Sequence, residues 1–228
     1  MSPPGRHAGH GDCGGRAIRG GGFCGIDQSV GMDFEVLLAL AGFAFVGSVT
    51  PGPNNLMLMA SGANFGLRRT VPHMLGVSLG HAGMVFLLGA GLAQIFMLWP
   101  ETRLGLKALS TLYMLWLAWK IAHTAPPEGH TTRGRPFTFW QALAFQWVNP
   151  KAWAIGLTAV TVYAPDATLA SFAVVTLVFL FVNMPSVSCW AVMGMQIRRL
   201  LTRPAQLRAF NITMAVLLVA SLYPVLMT

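Results

Sequence analysis

Inside the first long apolar run of this 228-residue chain lies a hexapeptide that breaks helices, Thr50-Pro51-Gly52-Pro53-Asn54-Asn55. The surrounding segment, from Val36 to Ala60, is apolar enough to cross a bilayer, which takes roughly 20 residues. Proline removes a backbone donor and clashes with the preceding turn, so a helix should kink or break there. Within hydrocarbon, freed backbone groups are tolerated only where they are buried in protein or face a watery cavity. The hexapeptide therefore predicts a binding site at membrane depth.

The composition indicates an integral membrane protein. Hydrophobic residues make up 54% of the chain and charged residues only 10%, whereas soluble domains carry about 25% charged residues. The net charge is +8, but Lys and Arg fall mostly in short segments between apolar runs, which argues against nucleic-acid binding. The three cysteines, Cys13, Cys24 and Cys189, lack the spacing of a metal or redox site, so we expect no metal and no cofactor.

The chain divides into a polar N-terminal segment and a domain of six predicted membrane spans. Residues 1–31 are rich in glycine and arginine, so we predict a disordered extension, with Met32 as the natural start of the protein. The spans predicted within residues 32–228 are Asp33 to Asn64, broken at Pro51 to Pro53; Val71 to Leu98; Arg103 to His123; Phe137 to Tyr163, broken at Asn149-Pro150; Ala167 to Met195; and Leu207 to Met227.

The distribution of positive charge predicts how these spans are oriented. Cytoplasmic loops carry an excess of Lys and Arg. The segments after spans one, three and five hold Arg68, Arg69, Lys120, Arg133, Arg135, Arg198, Arg199, Arg203 and Arg208, whereas the opposite side of the spans holds Arg103, Lys107 and the arginines of residues 1–31. We therefore predict that both termini lie outside the cytoplasm, which for a bacterial inner membrane means in the periplasm.

The two broken spans, the first and the fourth, occupy corresponding positions. Each opens a group of three spans, and because three is odd the second group lies inverted relative to the first. The predicted fold is thus an all-α membrane protein of six helices, arranged as two inverted three-helix repeats with helices 1 and 4 broken. Paired breaks of this kind mark the midplane binding site of secondary transporters. The alternative is two unrelated proline kinks, which are common in membrane helices.

Polar residues in the spans suggest roles, each with an alternative. A lysine inside a span, such as Lys151, indicates a functional site unless it reaches a nearby interface. His81 is either a core histidine or a group that handles protons or contacts the substrate. Gly76 and Gly80 have the spacing that lets membrane helices pack closely. The segment from Asn183 to Ser186, which contains a proline, predicts a further break in the fifth span.

Taken together, these motifs resemble the lysine-exporter (LysE/RhtB) superfamily of amino-acid translocators. The resemblance covers about residues 32–228 and rests on SVTPGPNNLMLMASGANFGLRR, GVSLGH, WVNPKAW and FNITMAVLLVASLYP. It implies a six-span inner-membrane exporter of an amino acid or similar metabolite, and proton motive force as the driving force. The predicted substrate site comprises Thr50, Pro51, Gly52, Pro53, Asn54, Asn55, Asn149, Pro150 and Lys151.

The sequence also constrains the substrate. We expect its carboxylate to meet half-helix N-termini and Lys151, and its ammonium to meet carbonyls freed at Pro51 and Pro53. Because the spans contain no interior Asp or Glu, neutral amino acids resembling homoserine or threonine are favoured. The expected partners are this substrate and membrane lipids, and the sequence is compatible with a homo-oligomer. The alternative function is a membrane-embedded enzyme acting on a lipid or small metabolite.

Overall fold

The computed structural model describes residues 32–92, 94, 98, 101–124 and 135–227. Every regular element within them is a helix: α1 (Phe34–Val49), α2 (Pro53–Phe65), α3 (Leu67–Leu87), α4 (Glu101–Ala122), α5 (Phe139–Gln146), α6 (Pro150–Tyr163), α7 (Leu169–Leu200), α8 (Pro204–Ala220) and α9 (Tyr223–Met227). A π-helical turn, Leu88–Leu92, continues α3. The predicted disorder of residues 1–31 lies outside the described residues.

The helices are those of a membrane protein. By length and composition, Leu67–Leu92 and Leu169–Leu200 can each cross a bilayer, and α1 with α2 forms a third span if the pair, bent by 55°, is taken as one. Large apolar side chains on outer faces are exposed, including Phe181 (72%) and Trp140 (72%), as expected for helices that face lipid. The all-α membrane class is therefore confirmed, while the count of six spans stays a prediction.

Both helix breaks expected from the sequence are present. The first separates α1, which ends at Val49, from α2, which begins at Pro53. The second separates α5, which ends at Gln146, from α6, which begins at Pro150. In each case a proline occupies the first position of the new helix, where the missing N–H would have no intrahelical acceptor in any case.

A third break, predicted between Asn183 and Ser186, is wrong. The helix α7 is continuous from Leu169 to Leu200 and carries Pro185 in its interior. A single proline removes one hydrogen bond and need not end a membrane helix, because neighbouring helices and side chains support the local backbone. The two real breaks each add polar residues whose side chains bond to the freed backbone, and α7 lacks that arrangement at Pro185.

Helix α7 lies at the centre of the bundle, against α1, α2 and α3, while α3 also packs along α5 and α4 packs against α8. Glycines permit the closest approaches. A Cβ on Gly62 would lie 2.1 Å from the carbonyl oxygen of Ala191, and one on Gly194 would lie 2.0 Å from that of Met59. The backbones of α2 and α7 are thus in direct contact, which fixes the position of the first break relative to α7.

Candidate functional site

The first break exposes carbonyls that its own side chains partly satisfy. Pro51 has no N–H, so the Gly47 carbonyl loses its helical donor, and Thr50 closes α1 by donating its N–H and hydroxyl to the Val46 carbonyl. The Asn55 side-chain amide donates to the Ser48 carbonyl at 2.7 Å and to the Thr50 carbonyl at 2.9 Å. Asn55 is buried and therefore holds the break in one shape.

At the second break, α5 ends in a turn that is tighter than a turn of α-helix. The amides of Trp147, Val148 and Asn149 each bond three residues back, which ends α5 in a narrow turn. Asn149 then caps α6, since its side-chain oxygen accepts from the Lys151 amide at 3.2 Å. Asn149 is only 2% exposed, so this cap lies inside the protein.

Lys151 joins the two breaks. Its ammonium nitrogen donates to the Thr50 carbonyl at 2.6 Å and lies 3.4 Å from the Pro51 carbonyl oxygen, although about 100 residues of sequence separate the partners. The side chain passes directly over Gly52, where a Cβ would lie 2.8 Å from the lysine Cδ. Gly52 is extended, a conformation any residue adopts, so glycine is required here for space.

A second link between the breaks is formed by two amides. The Asn54 amide donates to the Gln146 side-chain oxygen at 2.8 Å, and the Gln146 amide donates back at 3.2 Å. Gln146 is fully buried and also donates to the Ala142 carbonyl within α5. The start of α2 and the end of α5 are thus held together by a reciprocal pair.

Between the breaks lies a cavity of about 410 Å³, including its open mouth, which we call the break cavity. It is lined by Gly47, Ser48, Gly52, Pro53, Asn54, Asn55, His81, Asn149, Lys151, Ala152, Ile155 and Asn183. This lining, as far as the structure describes it, contains one cation and no carboxylate. The cavity is therefore positive and amide-rich.

Most of the predicted site residues line this cavity, and three do not. Thr50 and Pro51 contribute backbone carbonyls to Lys151 instead, and Pro150 starts α6. His81 lines the wall from α3 and packs edge-on to Phe179, with ring centroids 5.3 Å apart.

The predicted packing glycines lie against α5. A Cβ on Gly76 would lie 2.3 Å from the Phe139 carbonyl oxygen, and one on Gly80 would lie 2.9 Å from the Leu143 Cα. The close approach they allow brings the part of α3 next to His81 up to the end of α5, since a Cβ on Gly80 would also lie 3.0 Å from the Gln146 Cγ.

Three further residues belong to the site and were not predicted as such. Asn183 and Ser48 line the cavity, and Gln146 orients Asn54. All three are polar residues in apolar helices, which is a usable signal. The sequence places Asn183 only beside Pro185 in the expected third break, whereas in the fold its side chain forms part of the cavity wall.

No metal centre is found in the part of the chain that the structure describes, since no three His, Cys, Asp or Glu residues come close enough to hold an ion. The chemistry available in the cavity is therefore that of amides, backbone dipoles, an imidazole and one ammonium. Such groups bind a small polar solute.

Comparison with known proteins agrees with this architecture. The family model for LysE type translocators matches residues 45–221, which include both breaks and all of the break cavity. The chain belongs to the LysE type translocator family. Among its relatives are the cysteine/O-acetylserine efflux proteins of Escherichia coli strain K12 and of Shigella flexneri. Each is 32% identical over 187 residues, which cover 81% of this chain and 94% of the relative. No solved structure matches the chain.

Membership of the LysE type translocator family decides between the two functions considered from sequence. Its members are translocators, so this chain is a transporter, and the alternative of a membrane-embedded enzyme is set aside. The apolar helices and the family together make it a multi-pass membrane protein. The break cavity is then the natural candidate for the place where a transported solute binds.

Proposed function

We propose that this LysE family translocator exports a small neutral amino acid, or an O-acylated derivative of one, which binds in the break cavity. The observation that carries the proposal is the meeting of two half-helix N-termini and one ammonium in a cavity whose described lining has no carboxylate. An amino acid presents a carboxylate and an ammonium a few ångströms apart, and the cavity offers separate groups for each.

The carboxylate site consists of backbone amides and Lys151. In the described part of the chain no backbone carbonyl accepts from the amides of Asn54, Asn55 or Ala152, because each lies in the first turn of its helix. Such amides, with the positive end of the helix dipole, attract an anion. Three free amides and one ammonium on facing walls thus favour a single carboxylate.

The ammonium site lies on the α1 side of the cavity. The Gly47 carbonyl lost its helical donor to Pro51, and Gly47 lines the cavity. Asn183 adds a side-chain amide from the opposite wall. The Thr50 and Pro51 carbonyls are already bonded to Lys151, and the Val49 carbonyl, freed by Pro53, belongs to a residue that does not line the cavity. We therefore assign the Gly47 carbonyl as the acceptor for the substrate ammonium.

The charge of the cavity supports a neutral substrate. A dibasic amino acid would bring a second cation close to Lys151 with no carboxylate in the described lining to balance it. The relatives named for cysteine and O-acetylserine efflux point in the same direction. We therefore place cysteine, O-acetylserine and the similarly sized homoserine and threonine first among the candidates.

Alternating access about the two breaks is the proposed transport mechanism. Helix α1 packs on α7 as α5 packs on α3, and α3 packs on α7 itself. These pairings are what a two-fold relation between the halves 32–124 and 135–227 would produce, and they support the proposed inverted repeat. Rocking of one half against the other would expose the cavity to each side in turn.

For the location we propose the bacterial inner membrane, with both termini in the periplasm. The support is the excess of Lys and Arg on the side predicted to be cytoplasmic. Labelling of single cysteines introduced at Asp166 and at Arg208, in a chain whose Cys13, Cys24 and Cys189 are replaced by serine, would test it. A membrane-impermeant maleimide should react from outside the cell with the first position only.

The experiment that tests the function is efflux from cells expressing the full chain, with extracellular amino acids measured. We expect excess export of at least one small neutral amino acid. Lys151→Met should abolish it, because the variant removes the ammonium from the carboxylate site. Lys107→Met is the matched control, since Lys107 bonds to the Leu226 carbonyl and lines neither the break cavity nor its neighbourhood.

Two outcomes would contradict the proposal. If wild-type cells export no amino acid in excess of cells without the protein, the function is wrong. If Lys151→Met exports as well as wild type at equal abundance in the membrane, the site is wrong even though the function stands.

A further inference from the structure

A second cavity lies beside the C-terminal half of α2. It has a volume of about 380 Å³, including its open mouth, and shares no lining residue with the break cavity. Its polar lining is Ser61, Asn64, His73, Lys120, Thr124 and Arg135. We call it the α2 vestibule.

His73 is the residue that most clearly indicates a ligand there. Its side chain is 1% exposed, and neither ring nitrogen has a hydrogen-bond partner within the described structure. Buried polar atoms are almost always bonded, so an imidazole with two unpartnered nitrogens in a cavity wall indicates a missing partner. Its ring lies against Phe137, with centroids 5.2 Å apart, which fixes its orientation.

Two cations share this cavity. The Lys120 ammonium lies 4.6 Å from the centroid of the Phe137 ring and 5.3 Å from that of Trp116, so aromatic faces hold it in place. Arg135 lines the exposed mouth. No carboxylate of the described residues pairs with either one, and the vestibule therefore presents uncompensated positive charge.

The other polar groups are already satisfied within the protein. The Ser61 and Thr70 hydroxyls bond at 2.9 Å. Asn64 and Asn211 exchange hydrogen bonds of 2.7 and 3.1 Å. What remains for a ligand is an imidazole and two cations, a set that matches a carboxylate.

Helix α2 connects the two cavities. Its first turn lines the break cavity, and its later turns, through Asn64, line the vestibule. Ten residues of helix separate Asn54 from Asn64, or about 15 Å. Helix α3 also reaches both cavities. Its His73 lines the vestibule and its His81 lines the break cavity, and the two residues are about 12 Å apart along the helix.

We propose that the α2 vestibule is a second substrate site, which binds the carboxylate of the amino acid before it reaches the break cavity. The order of binding, first in the vestibule and then in the break cavity, rests on the proposed function. Lys120 and Arg135 lie on the side predicted to be cytoplasmic, and an exporter takes up its substrate from that side. The binding itself depends only on the cations and the imidazole.

The test uses the purified full chain in lipid nanodiscs and in proteoliposomes, with radiolabelled O-acetyl-L-serine as the probe and its methyl ester as the probe without a carboxylate. We expect Lys120→Met, Arg135→Gln and His73→Phe each to raise the half-saturating concentration about tenfold for transport that starts on the Arg135 side. Transport that starts on the opposite side should be unchanged. Lys120→Arg keeps the positive charge and should stay close to the wild-type half-saturating concentration. Arg208 is exposed and lines neither cavity, so Arg208→Gln should match wild type.

The outcomes separate this proposal from the proposed function. If wild type transports and the three variants match it from both sides, or lose transport equally from both sides, the vestibule site is overturned and export stands. If wild type does not transport but its nanodiscs bind the probe in preference to the methyl ester, and the variants lose that binding, export is overturned and the site stands. If wild-type nanodiscs bind the probe and its methyl ester equally, the carboxylate assignment is overturned.

Discussion

Gly52→Ala tests whether the placement of Lys151 over the first break matters for substrate binding. The added Cβ would lie 2.8 Å from the lysine Cδ and 3.1 Å from its ammonium nitrogen. The backbone at Gly52 is extended, with φ of −172°, so alanine introduces no backbone strain there. The substitution therefore acts on the Lys151 side chain and introduces no strain into the backbone of the break.

The size of the effect follows from the contacts that must be lost. Ordinary van der Waals contact begins at 3.4 Å, so the Lys151 Cδ has to retreat by about 0.6 Å. Such a shift breaks or bends the 2.6 Å hydrogen bond from the ammonium to the Thr50 carbonyl. A hydrogen bond to a charged group contributes about 1.5–3 kcal/mol, and for a half-buried lysine we take the lower end. The expected loss of stability is therefore about 1.5 kcal/mol. A displaced ammonium should also lose a contact of similar size with the substrate carboxylate, which corresponds to roughly a tenfold rise in the half-saturating concentration.

The assay is efflux of a labelled neutral amino acid from proteoliposomes containing equal amounts of each variant. Gly42→Ala is the matched control, because a Cβ at Gly42 in α1 meets nothing within 4 Å. It should transport like wild type. Thermal unfolding in detergent is measured in parallel, and Gly52→Ala is introduced both into the wild-type chain and into the Lys151→Ala variant, which lacks the lysine Cδ. Alanine at position 52 should lower the midpoint only when the lysine is present.

Two results would refute this reasoning. A half-saturating concentration for Gly52→Ala equal to that of Gly42→Ala would show that the position of the ammonium is unimportant. A loss of stability that persists in the Lys151→Ala background would show that alanine clashes with something other than the lysine.

Three further predictions concern packing, polar pairing and proton coupling. Gly76→Ala should destabilise the fold by about 1–3 kcal/mol, because its Cβ would meet a backbone carbonyl of α5 at 2.3 Å. Thermal unfolding measures the effect, and Gly83→Ala is the control because a Cβ at Gly83 meets nothing within 4 Å. Asn64→Ala should cost about 1–3 kcal/mol, because the buried Asn211 side-chain oxygen loses its donor while its amide keeps only the Thr124 carbonyl. In a double-mutant cycle the second alanine should cost less than it does alone. His81→Gln should flatten the pH dependence of efflux if this histidine handles the coupled proton, and an unchanged pH profile would exclude it.

The breaks could be predicted from sequence because their cause is local. Pro51, Pro53 and Pro150 each lack an N–H, and that alone ends or starts a helix in any surroundings that supply partners for the freed carbonyls. The side-chain chemistry was also readable, since a lysine and paired asparagines in apolar spans are costly without a purpose. The two helix breaks are therefore confirmed, and most of the residues predicted to bind substrate line the break cavity, while their role in binding stays a prediction.

The contacts across the site could not be predicted, because they depend on how distant helices pack. Asn54 and Gln146 are 92 residues apart, and nothing in either local sequence specifies the other. The same holds for the α2 vestibule, which brings His73 of α3 together with Lys120 of α4 and Arg135 before α5. Pro185 shows the opposite case. Asn183 and Ser186 flank it as polar residues flank a break, but a single proline removes only one helical hydrogen bond, and α7 continues through it.

The two motifs form one structural unit, and this bears on how a substrate site can exist at membrane depth. Each carbonyl left without a donor in hydrocarbon costs several kcal/mol, so a break at Pro51 and Pro53 alone would be unstable. Asn55 from the same motif and Lys151 from the other cover the carbonyls of residues 48, 50 and 51. The carbonyls of Gly47 and Val49, freed by Pro51 and Pro53, have no donor among the described residues, and of these two residues Gly47 lines the cavity together with the first turn of α2. The second motif thus stabilises the first while leaving an acceptor and several donors in the cavity wall, which is the complement of an amino acid. For this reason a change at Lys151 should reduce both the stability of the break and the affinity for substrate, and the two effects must be measured separately.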